Sequence, residues 1–190
     1  NPSSGKMGFA IAEEARNRGH NVILISGPVE LLSPSGIKII KVVSALYMYK
    51  AVLRFYKKAD CFISTAAVSD YRPAKYSVSK IKKDKDSLIL RLIKNPDILL
   101  EISKKSKKPF LIGFSLETSN VLAFAKQKLI KKNLDIIVAN KPNTFNSDKI
   151  SAYLITSRFE NKFFRNVAKK LLAEKIIQMT ENIVNENNIN

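Results

Sequence analysis

The sequence of 190 residues has few of the residues on which several protein classes depend. It contains one cysteine, one histidine and only sixteen acidic residues. No apolar run approaches the roughly eighteen residues that a membrane-spanning helix needs. The single cysteine, Cys61, excludes an intramolecular disulfide framework, and its place in the apolar run Cys61-Phe62-Ile63 indicates a buried structural thiol. These features favour a cytoplasmic protein.

The scarcity of acidic residues leaves a strong positive charge. Thirty-three lysines and arginines against sixteen acids give a net charge of +17. Residues 71–108 alone carry twelve basic and four acidic residues, a net +8. Such a balance is typical of a basic nucleic-acid-binding module. A composition rich in Lys, Ile and Asn throughout also indicates a general substitution bias, which would raise the charge without functional meaning.

Apolar periodicity predicts helices alternating with short strands. The predicted helices are Lys6–Arg18, Ser44–Lys58, Pro96–Lys105, Asn120–Asn133 and Asn166–Ile183. The predicted strands are Asn21–Ser26, Ile37–Val42, Asp60–Ser64, Ser87–Ile93, Phe110–Phe114, Leu134–Ala139, Ile150–Thr156 and Phe159–Phe164. The alternation predicts an α/β fold with a doubly wound, mostly parallel, Rossmann-like sheet in a single domain, residues 1–190. Ligands of such folds bind beyond the carboxyl ends of the strands.

The first eight residues, Asn1-Pro2-Ser3-Ser4-Gly5-Lys6-Met7-Gly8, predict the start of a helix. Backbone N–H groups at a helix start lack partners within the helix and point beside the positive end of its dipole, where phosphate binds readily. Ser4, Gly5 and Lys6 are therefore candidate phosphate-binding residues, although an ordinary capped helix explains the same pattern. The segment is not a Walker loop, because the glycine spacing differs.

The segment from Ala66 to Asp86 has no sustained apolar periodicity, and its length favours a functional flap over a simple connection. The flap is rich in cations, which either form a solvated charged loop or could close over a nucleoside triphosphate after it enters. These cations are Arg72, Lys75, Lys80, Lys82, Lys83 and Lys85. Asp70, at the start of the flap, is a candidate for ribose or Mg²⁺ binding or for an Asx turn.

Two lysines of the fourth predicted helix lie on its apolar side. Lys128 and Lys132 are four residues apart and share the face of Val121, Ala125 and Leu129. They either extend to the rim of the core or bind a ligand in a crevice. Phe114 could stack near a base or fill the core, and His20 follows a helix-ending glycine and has no predicted role.

An oxidoreductase is a further alternative. Tyr71 and Lys75 have the Tyr-x-x-x-Lys spacing that short-chain dehydrogenases use on a helix face. Pro73 lies between them and opposes a helix, and the G-x-G-x-x-G fingerprint of dinucleotide-binding folds is absent from the sequence. The pattern therefore argues against an NAD(P)-dependent enzyme.

Several blocks in one order resemble the bacterial, CTP-dependent phosphopantothenoylcysteine synthetase family, which includes the synthetase domain of the bifunctional coenzyme A biosynthesis flavoprotein. The blocks are Asn1–Gly8, Ala66-Ala67-Val68-Ser69-Asp70-Tyr71-Arg72-Pro73, Lys80-Ile81-Lys82-Lys83, Lys94-Asn95-Pro96-Asp97, Gly113–Thr118, Lys128–Asp135 and Phe145-Asn146-Ser147-Asp148. The resemblance covers essentially the whole chain. It implies a ligase that joins 4′-phosphopantothenate to cysteine through an acyl-cytidylate, with CTP as a substrate and Mg²⁺ as the metal.

The resemblance also implies roles for single residues. Lys80 matches the lysine that forms the acyl-nucleotide, and Asn1 matches the residue that serves conversion of the intermediate to product. The backbone around Ala66 and Ala67 would meet the pyrimidine, and Lys128 and Lys132 would bind the nucleotide. Residues 66–93 would form a flap and a homodimer contact, and a flavin-dependent phosphopantothenoylcysteine decarboxylase is an expected partner.

One departure from the family concerns the start of the chain. The family has an additional strand and a Gly-rich turn before the Asn-containing block, and this sequence shows neither. We therefore expect a chain shortened at its N-terminus, with an open sheet edge and a loosely held Asn1.

Overall fold

The computed structural model describes residues 3–77, 79–82, 87–142 and 147–189. The α-helices are α1 (Lys6–Asn17), α2 (Ala45–Phe55), α3 (Ile98–Ser103), α4 (Val121–Lys131) and α5 (Lys169–Ile189). The strands are β1 (Ile23–Ser26), β2 (Lys38–Lys41), β3 (Cys61–Ser64), β4 (Tyr71–Pro73), β5 (Leu92–Lys94), β6 (Phe110–Leu116), β7 (Ile136–Asn140), β8 (Lys149–Thr156) and β9 (Asn161–Ala168). A short 3₁₀ turn, Tyr56–Lys58, follows α2.

The strands form one five-stranded sheet and two smaller pairs. The large sheet has the order β3-β6-β7-β8-β9, in which β3, β6 and β7 are parallel and the β8–β9 hairpin runs antiparallel to them. Strands β1 and β2 form a parallel pair, and β4 and β5 form an antiparallel pair. The predicted α/β class is confirmed, with parallel strands flanked by helices and a terminal hairpin that makes the large sheet mixed.

Alternate residues of the central strands pack into two different apolar layers. Leu111 and Ile137 contact the layer that contains α2, α3 and α4, whereas Ile112 and Ile136 contact the layer that contains α1 and α5. All four side chains are at most 1% exposed. Because successive side chains of a strand point to opposite faces, these strands need helices on both sides. The doubly wound arrangement follows from this burial.

Helix α1 ends near a charged contact with α5. Gly19 has a φ of +89°, a conformation that favours glycine, and it stops the helix as the sequence predicts. Just before it, the Arg18 guanidinium donates through Nε and Nη2 to the Glu181 carboxylate, and Nε lies 2.9 Å from Oε1. His20, for which no role was predicted, places Nε2 2.8 Å from the same oxygen. These three side chains link the end of α1 to α5.

Two predictions in the flap region were wrong. In place of the predicted strand Ser87–Ile93, the structure has a strand only over Leu92–Lys94. The segment from Ala66 to Asp86, which was predicted to be a loop, contains β4. The two short strands pair over three residues, Tyr71 to Pro73 with Lys94 to Leu92, and one further bond joins the Ala74 N–H to the Arg91 carbonyl at 2.8 Å. The length of a strand is limited by the partner strand with which it forms backbone hydrogen bonds, whatever the alternation of its apolar residues.

In the part of the chain that the structure describes, no helix is both long and apolar enough to cross a bilayer.

The contact between α1 and α5 predicts a pH dependence of stability. The hydrogen bond from Arg18 lowers the pKa of Glu181 to about 2; burial acts in the opposite direction, and a hydrogen bond from His20 lowers the pKa further. A carboxyl whose pKa is lower in the folded chain stabilises the fold above its ordinary pKa of 4.5 and loses that contribution as the pH falls towards 2. We expect Glu181→Gln to lower the free energy of unfolding at pH 7 by about 1 kcal/mol.

Urea unfolding followed by circular dichroism between pH 7 and pH 3 measures this effect. The difference between the wild type and Glu181→Gln should shrink as the pH falls through this range. Glu186→Gln is the matched control, since Glu186 lies in the same helix but its ion pair with Arg158 is longer, at 3.6 Å, and more exposed. A difference that stays constant with pH would contradict the assignment.

Candidate functional site

A cleft of about 690 Å³ opens at the carboxyl ends of the parallel strands. Its walls include Ser26 at the end of β1, Thr65 after β3, Leu116 at the end of β6 and Asn140 at the end of β7. The start of α1 forms another wall. This is the edge at which open α/β sheets bind their ligands. The position of the cleft agrees with the expectation from the strand–helix pattern.

The start of α1 presents a helix N-terminus to the cleft. Gly5 is the N-cap residue, with a φ of +72° and no side-chain cap bond, and the first turn contains no acidic residue. The candidate phosphate-binding residues Ser4, Gly5 and Lys6 all line the cleft. Many helices carry Asp or Glu in the first turn, where the dipole stabilises negative charge. Here the first turn of the helix adds no negative charge of its own to that positive end.

A close contact sets the distance between α1 and the residues after β3. A Cβ atom added at Gly8 would lie 2.7 Å from Thr65 Oγ1, closer than real contacts allow. Glycine at this position therefore lets α1 approach the chain just before Ala66 and Ala67. Both alanines and Phe114 line the same cleft.

Lys128 in α4 and Lys132, the C-cap residue of the same helix, each contact a carboxylate. Lys128 Nζ lies 2.6 Å from Glu117 Oε1 and 3.0 Å from Ser115 Oγ, and Ser115 lines the cleft and also donates to Glu117. Burial acts to raise the pKa of Glu117, but the hydrogen bonds from Lys128 and Ser115 keep it below its usual value. Lys128 is thereby held at the rim beside the cleft.

Lys132 contacts the carboxylate that starts α3. Its Nζ lies 2.8 Å from Asp97 Oδ2, and Asp97 Oδ1 accepts from the Leu100 N–H as the N-cap of α3. Burial acts to raise the pKa of Asp97, whereas Lys132 and the backbone N–H groups hold it below its usual value. Lys132 therefore supports the capping of α3 in addition to any contact with a ligand.

Other predicted site residues lie apart from the cleft wall. Among the described residues, the lining does not include Asp70, Lys80, Lys128 or Lys132. Asp70 and Lys80 have exposed side chains, and the Asp70 carbonyl accepts from the Asn95 N–H at 2.7 Å. Asn1, Lys83, Lys85, Phe145 and Asn146 lie outside the described residues.

The base of the flap is tied to the strand that follows it. Arg72 Nη1 donates to the Lys94 carbonyl at 2.6 Å and to Asn95 Oδ1 at 3.0 Å. Asn95 Nδ2 donates to the Ser69 carbonyl at 2.8 Å. Arg72 and Asn95 both line the cleft. Tyr71 lies in β4 and Lys75 in a bend, so the pair does not have the helical geometry of a short-chain dehydrogenase.

Sequence reasoning assigned no role to several polar residues of the lining, among them Asn95, Asn140 and Lys169. Asn95 stands inside a quoted block, Lys94-Asn95-Pro96-Asp97, so its motif provided a signal. Asn140 ends β7, and the end of a central strand is itself a signal for a ligand site. Lys169 is one lysine of a basic amphipathic helix, and no local pattern separates it from its neighbour Lys170.

Comparison with known proteins places these features in context. The family described as DNA/pantothenate metabolism flavoprotein C-terminal domain matches residues 1–183. The coenzyme A biosynthesis bifunctional protein CoaBC of Haemophilus influenzae is 44% identical over 190 residues, which cover 98% of this chain. The match covers 46% of that protein, so this chain spans less than half the length of its relative.

Two solved structures share the fold. The crystal structure of the C-terminal domain of the bifunctional protein CoaBC matches with a TM-score of 0.84 and 36% identity, covering 98% of this chain and 86% of that one. A Cab2 mutant in complex with phosphopantothenate-cysteine matches with a TM-score of 0.77 and 15% identity, covering 99% of this chain and 81% of that one. The second likeness concerns the fold alone.

The contact between Gly8 and Thr65 is open to a double-mutant test. Gly8→Ala should lower the free energy of unfolding by about 1 kcal/mol, because the overlap with Thr65 outweighs the helical preference for alanine. In a Thr65→Ala background, where Oγ1 is absent, the same change should be neutral or should stabilise by up to about 1 kcal/mol. Urea unfolding of the four proteins measures both values. Equal effects of Gly8→Ala in the two backgrounds would show that this contact does not limit the approach of α1.

Proposed function

Because the chain belongs to the DNA/pantothenate metabolism flavoprotein C-terminal domain family, we propose that it is a ligase of coenzyme A biosynthesis. It joins 4′-phosphopantothenate to L-cysteine and cleaves CTP to CMP and pyrophosphate. The observation that carries the proposal is the convergence of separate sequence blocks on one cleft. The start of α1, the segment Ala66–Ala67 and Phe114 all line it, although they are far apart in the sequence.

The reaction divides into two displacements. The carboxylate of 4′-phosphopantothenate attacks the α-phosphorus of CTP, and pyrophosphate leaves with the electrons of the broken P–O bond. The amine of cysteine then attacks the acyl carbon of the acyl-cytidylate, CMP leaves, and the nitrogen loses a proton to give the amide. The first displacement activates an otherwise unreactive carboxylate, and the covalent intermediate divides one difficult step into two.

The cleft has suitable groups for a nucleotide. The N-terminus of α1 and Lys6 provide positive charge for phosphates. Ala66 and Ala67 are small, so a flat base could approach their backbone, and Phe114 could contact its face. Ser115, which touches Lys128, connects the cleft to the lysine that the family resemblance assigns to the nucleotide.

Lys80 and Asn1 are proposed to act in the two half-reactions. Lys80 would stabilise negative charge that develops at the α-phosphate, and Asn1 would orient the acyl carbonyl for attack by cysteine. Lys80 has an exposed side chain in the flap and is not part of the described cleft lining. Its role therefore requires the flap to close over the bound nucleotide, with the Arg72 and Asn95 contacts as a fixed base.

Mg²⁺ is the proposed metal. Mg²⁺ usually binds one or two carboxylates together with phosphates and water, and it would neutralise the triphosphate. Within the described ranges, no group of three or more His, Cys, Asp and Glu side chains could hold a metal ion. A site of few protein ligands fits this pattern, with Asp70 as the proposed carboxylate and the triphosphate supplying further oxygens.

A homodimer is proposed to form through the flap and the segment that follows it. Three consecutive apolar side chains there are strongly exposed: Leu88 at 62%, Ile89 at 94% and Leu90 at 57%. Contiguous exposed apolar surface is typical of a protein contact. Because β5 extends over only three residues, pairing with a second copy could lengthen it. A flavin-dependent decarboxylase that forms the next product is a further proposed partner.

The choice of nucleotide tests the pyrimidine site. With Mg²⁺ present, CTP should raise the melting temperature more than ATP does at equal concentration, because only the preferred base gains the contacts beside Ala66, Ala67 and Phe114. Differential scanning fluorimetry over a range of nucleotide concentrations measures the shift, with CMP as a control for the contribution of the triphosphate. Equal shifts with CTP and ATP would contradict a pyrimidine site and leave only a triphosphate site.

The role of Lys80 predicts a separation of binding from chemistry. In active protein, Lys80→Gln should lower the rate of pyrophosphate release by at least about tenfold while the CTP dissociation constant changes much less, as expected for a group that acts mainly in the transition state. A coupled pyrophosphate assay and equilibrium binding measure the two quantities. Lys82→Gln, another exposed flap lysine, is the matched control. If both variants lose the same activity, the flap acts as diffuse charge without one catalytic lysine.

A further inference from the structure

A buried lysine meets the start of α1 in the wall of the cleft. Lys169 is the first residue of α5, and only 9% of it is exposed. It lines the cleft together with Lys6, the first residue of α1. Because α1 and α5 pack against each other, their first residues bring two ammonium groups to the same wall. The next residue, Lys170, is exposed.

The two lysines influence each other electrostatically. Burial lowers the pKa of the Lys169 ammonium, and the positive charge of Lys6 lowers it further, whereas the Asp148 carboxylate acts in the opposite direction. Placing a charged group in a buried position beside a like charge costs free energy. A methionine or leucine could fill the same volume without that cost. The cost is reduced whenever an anion lies between the two ammonium groups.

The carboxylate beside this pair is held at the solvent side. Asp148 Oδ1 lies 2.7 Å from Lys6 Nζ, yet the Asp148 side chain is 87% exposed. The Lys6 ammonium lowers the pKa of Asp148, so the carboxylate is negatively charged at neutral pH. Asp148 therefore contacts Lys6 from the solvent side, and its backbone carbonyl accepts from the Lys169 N–H at 2.9 Å. An anion in the cleft would compete with Asp148 for the Lys6 ammonium.

We propose that Lys169 and Lys6 together bind a phosphoryl group of the substrate at the wall where α1 and α5 begin. Two ammonium groups and the positive end of α1 suit a multiply charged phosphate or pyrophosphate group. Neighbouring Ser4 and Gly5 line the same wall and add polar groups within the cleft. The inference rests on the proposed function only for the source of the phosphoryl group.

The binding of inorganic pyrophosphate tests the site directly. Isothermal titration calorimetry should show a dissociation constant at least about tenfold weaker for Lys169→Met than for the wild type, because a buried charge is lost from the binding wall. Lys170→Met is the matched control and should change the constant by less than about twofold, since exposed charges are screened. Equal weakening by both variants, or no weakening by Lys169→Met, would overturn the proposal.

A second variant should change the affinity for pyrophosphate in the opposite direction. This test does not depend on whether Lys169→Met folds. Asp148→Asn removes the carboxylate that competes for Lys6, so pyrophosphate should bind several-fold more tightly. The exposed position of Asp148 makes this change easy to accommodate. Weaker or unchanged binding in Asp148→Asn would contradict the proposed competition and with it the site.

Further titrations identify the source of the phosphoryl group. If the site holds the triphosphate, Lys169→Met should weaken the binding of CTP and leave the binding of 4′-phosphopantothenate unchanged. The reverse result would assign the site to the phosphate of 4′-phosphopantothenate. An assay of amide formation by the wild type separates the two proposals. Lys169-dependent binding of pyrophosphate without amide product would leave this site standing and reject the ligase. Formation of the amide product, with unchanged affinities in Lys169→Met, would support the ligase and reject the phosphoryl site.

Discussion

The burial of β6 and β7 on both faces is the constraint on which the rest of the structure depends. Ile112, Ile136 and Val138 are fully buried on the side of α1 and α5, and Leu111 is fully buried on the side of α2, α3 and α4. Each such side chain contributes about 1.5–3 kcal/mol when it is removed from water, so neither face can be left uncovered. Helices on both sides leave the ends of the strands as the places where loops can meet. The cleft therefore lies at the carboxyl edge for reasons of packing before any ligand is considered.

The scarce acidic residues lie at points where they connect elements. Glu181 links α5 to the end of α1, Asp97 starts α3 and holds Lys132, and Glu117 holds Lys128 beside Ser115. Asp148 contacts Lys6 from the solvent side. A chain with a net charge of +17 repels itself, and these contacts reduce the repulsion where helices begin or end. The cleft wall near the starts of α1 and α5 carries Lys6 and Lys169, with Asp148 beside Lys6.

Local patterns predicted most elements because each depends on residues close in the sequence. Helix α1 begins after the Ser-Ser-Gly segment and ends before Gly19, as its pattern indicates. The hairpin of β8 and β9 also follows its pattern, but β9 begins two residues later and ends four residues later than predicted. The last helix therefore begins at Lys169, and the predicted start at Asn166 was wrong. The prediction of a strand over Ser87–Ile93 was wrong because the alternation of apolar residues describes side chains only. A strand also needs backbone hydrogen bonds to a partner strand. Strand β4 offers three residues and ends at Pro73, which has no N–H group to donate.

The sequence by itself determined the α/β class, the order of the elements and the blocks that carry the family resemblance. Those features depend on side-chain periodicity and on motifs of adjacent residues, and both can be read along one chain. Only the tertiary structure decided which residues share the cleft wall. Lys169 and Lys170 are adjacent lysines in the sequence, and only the packing of α5 against α1 buries one beside Lys6 and exposes the other. Likewise, Lys128 and Lys132 acquire Glu117 and Asp97 as partners through contacts between elements that no local pattern records.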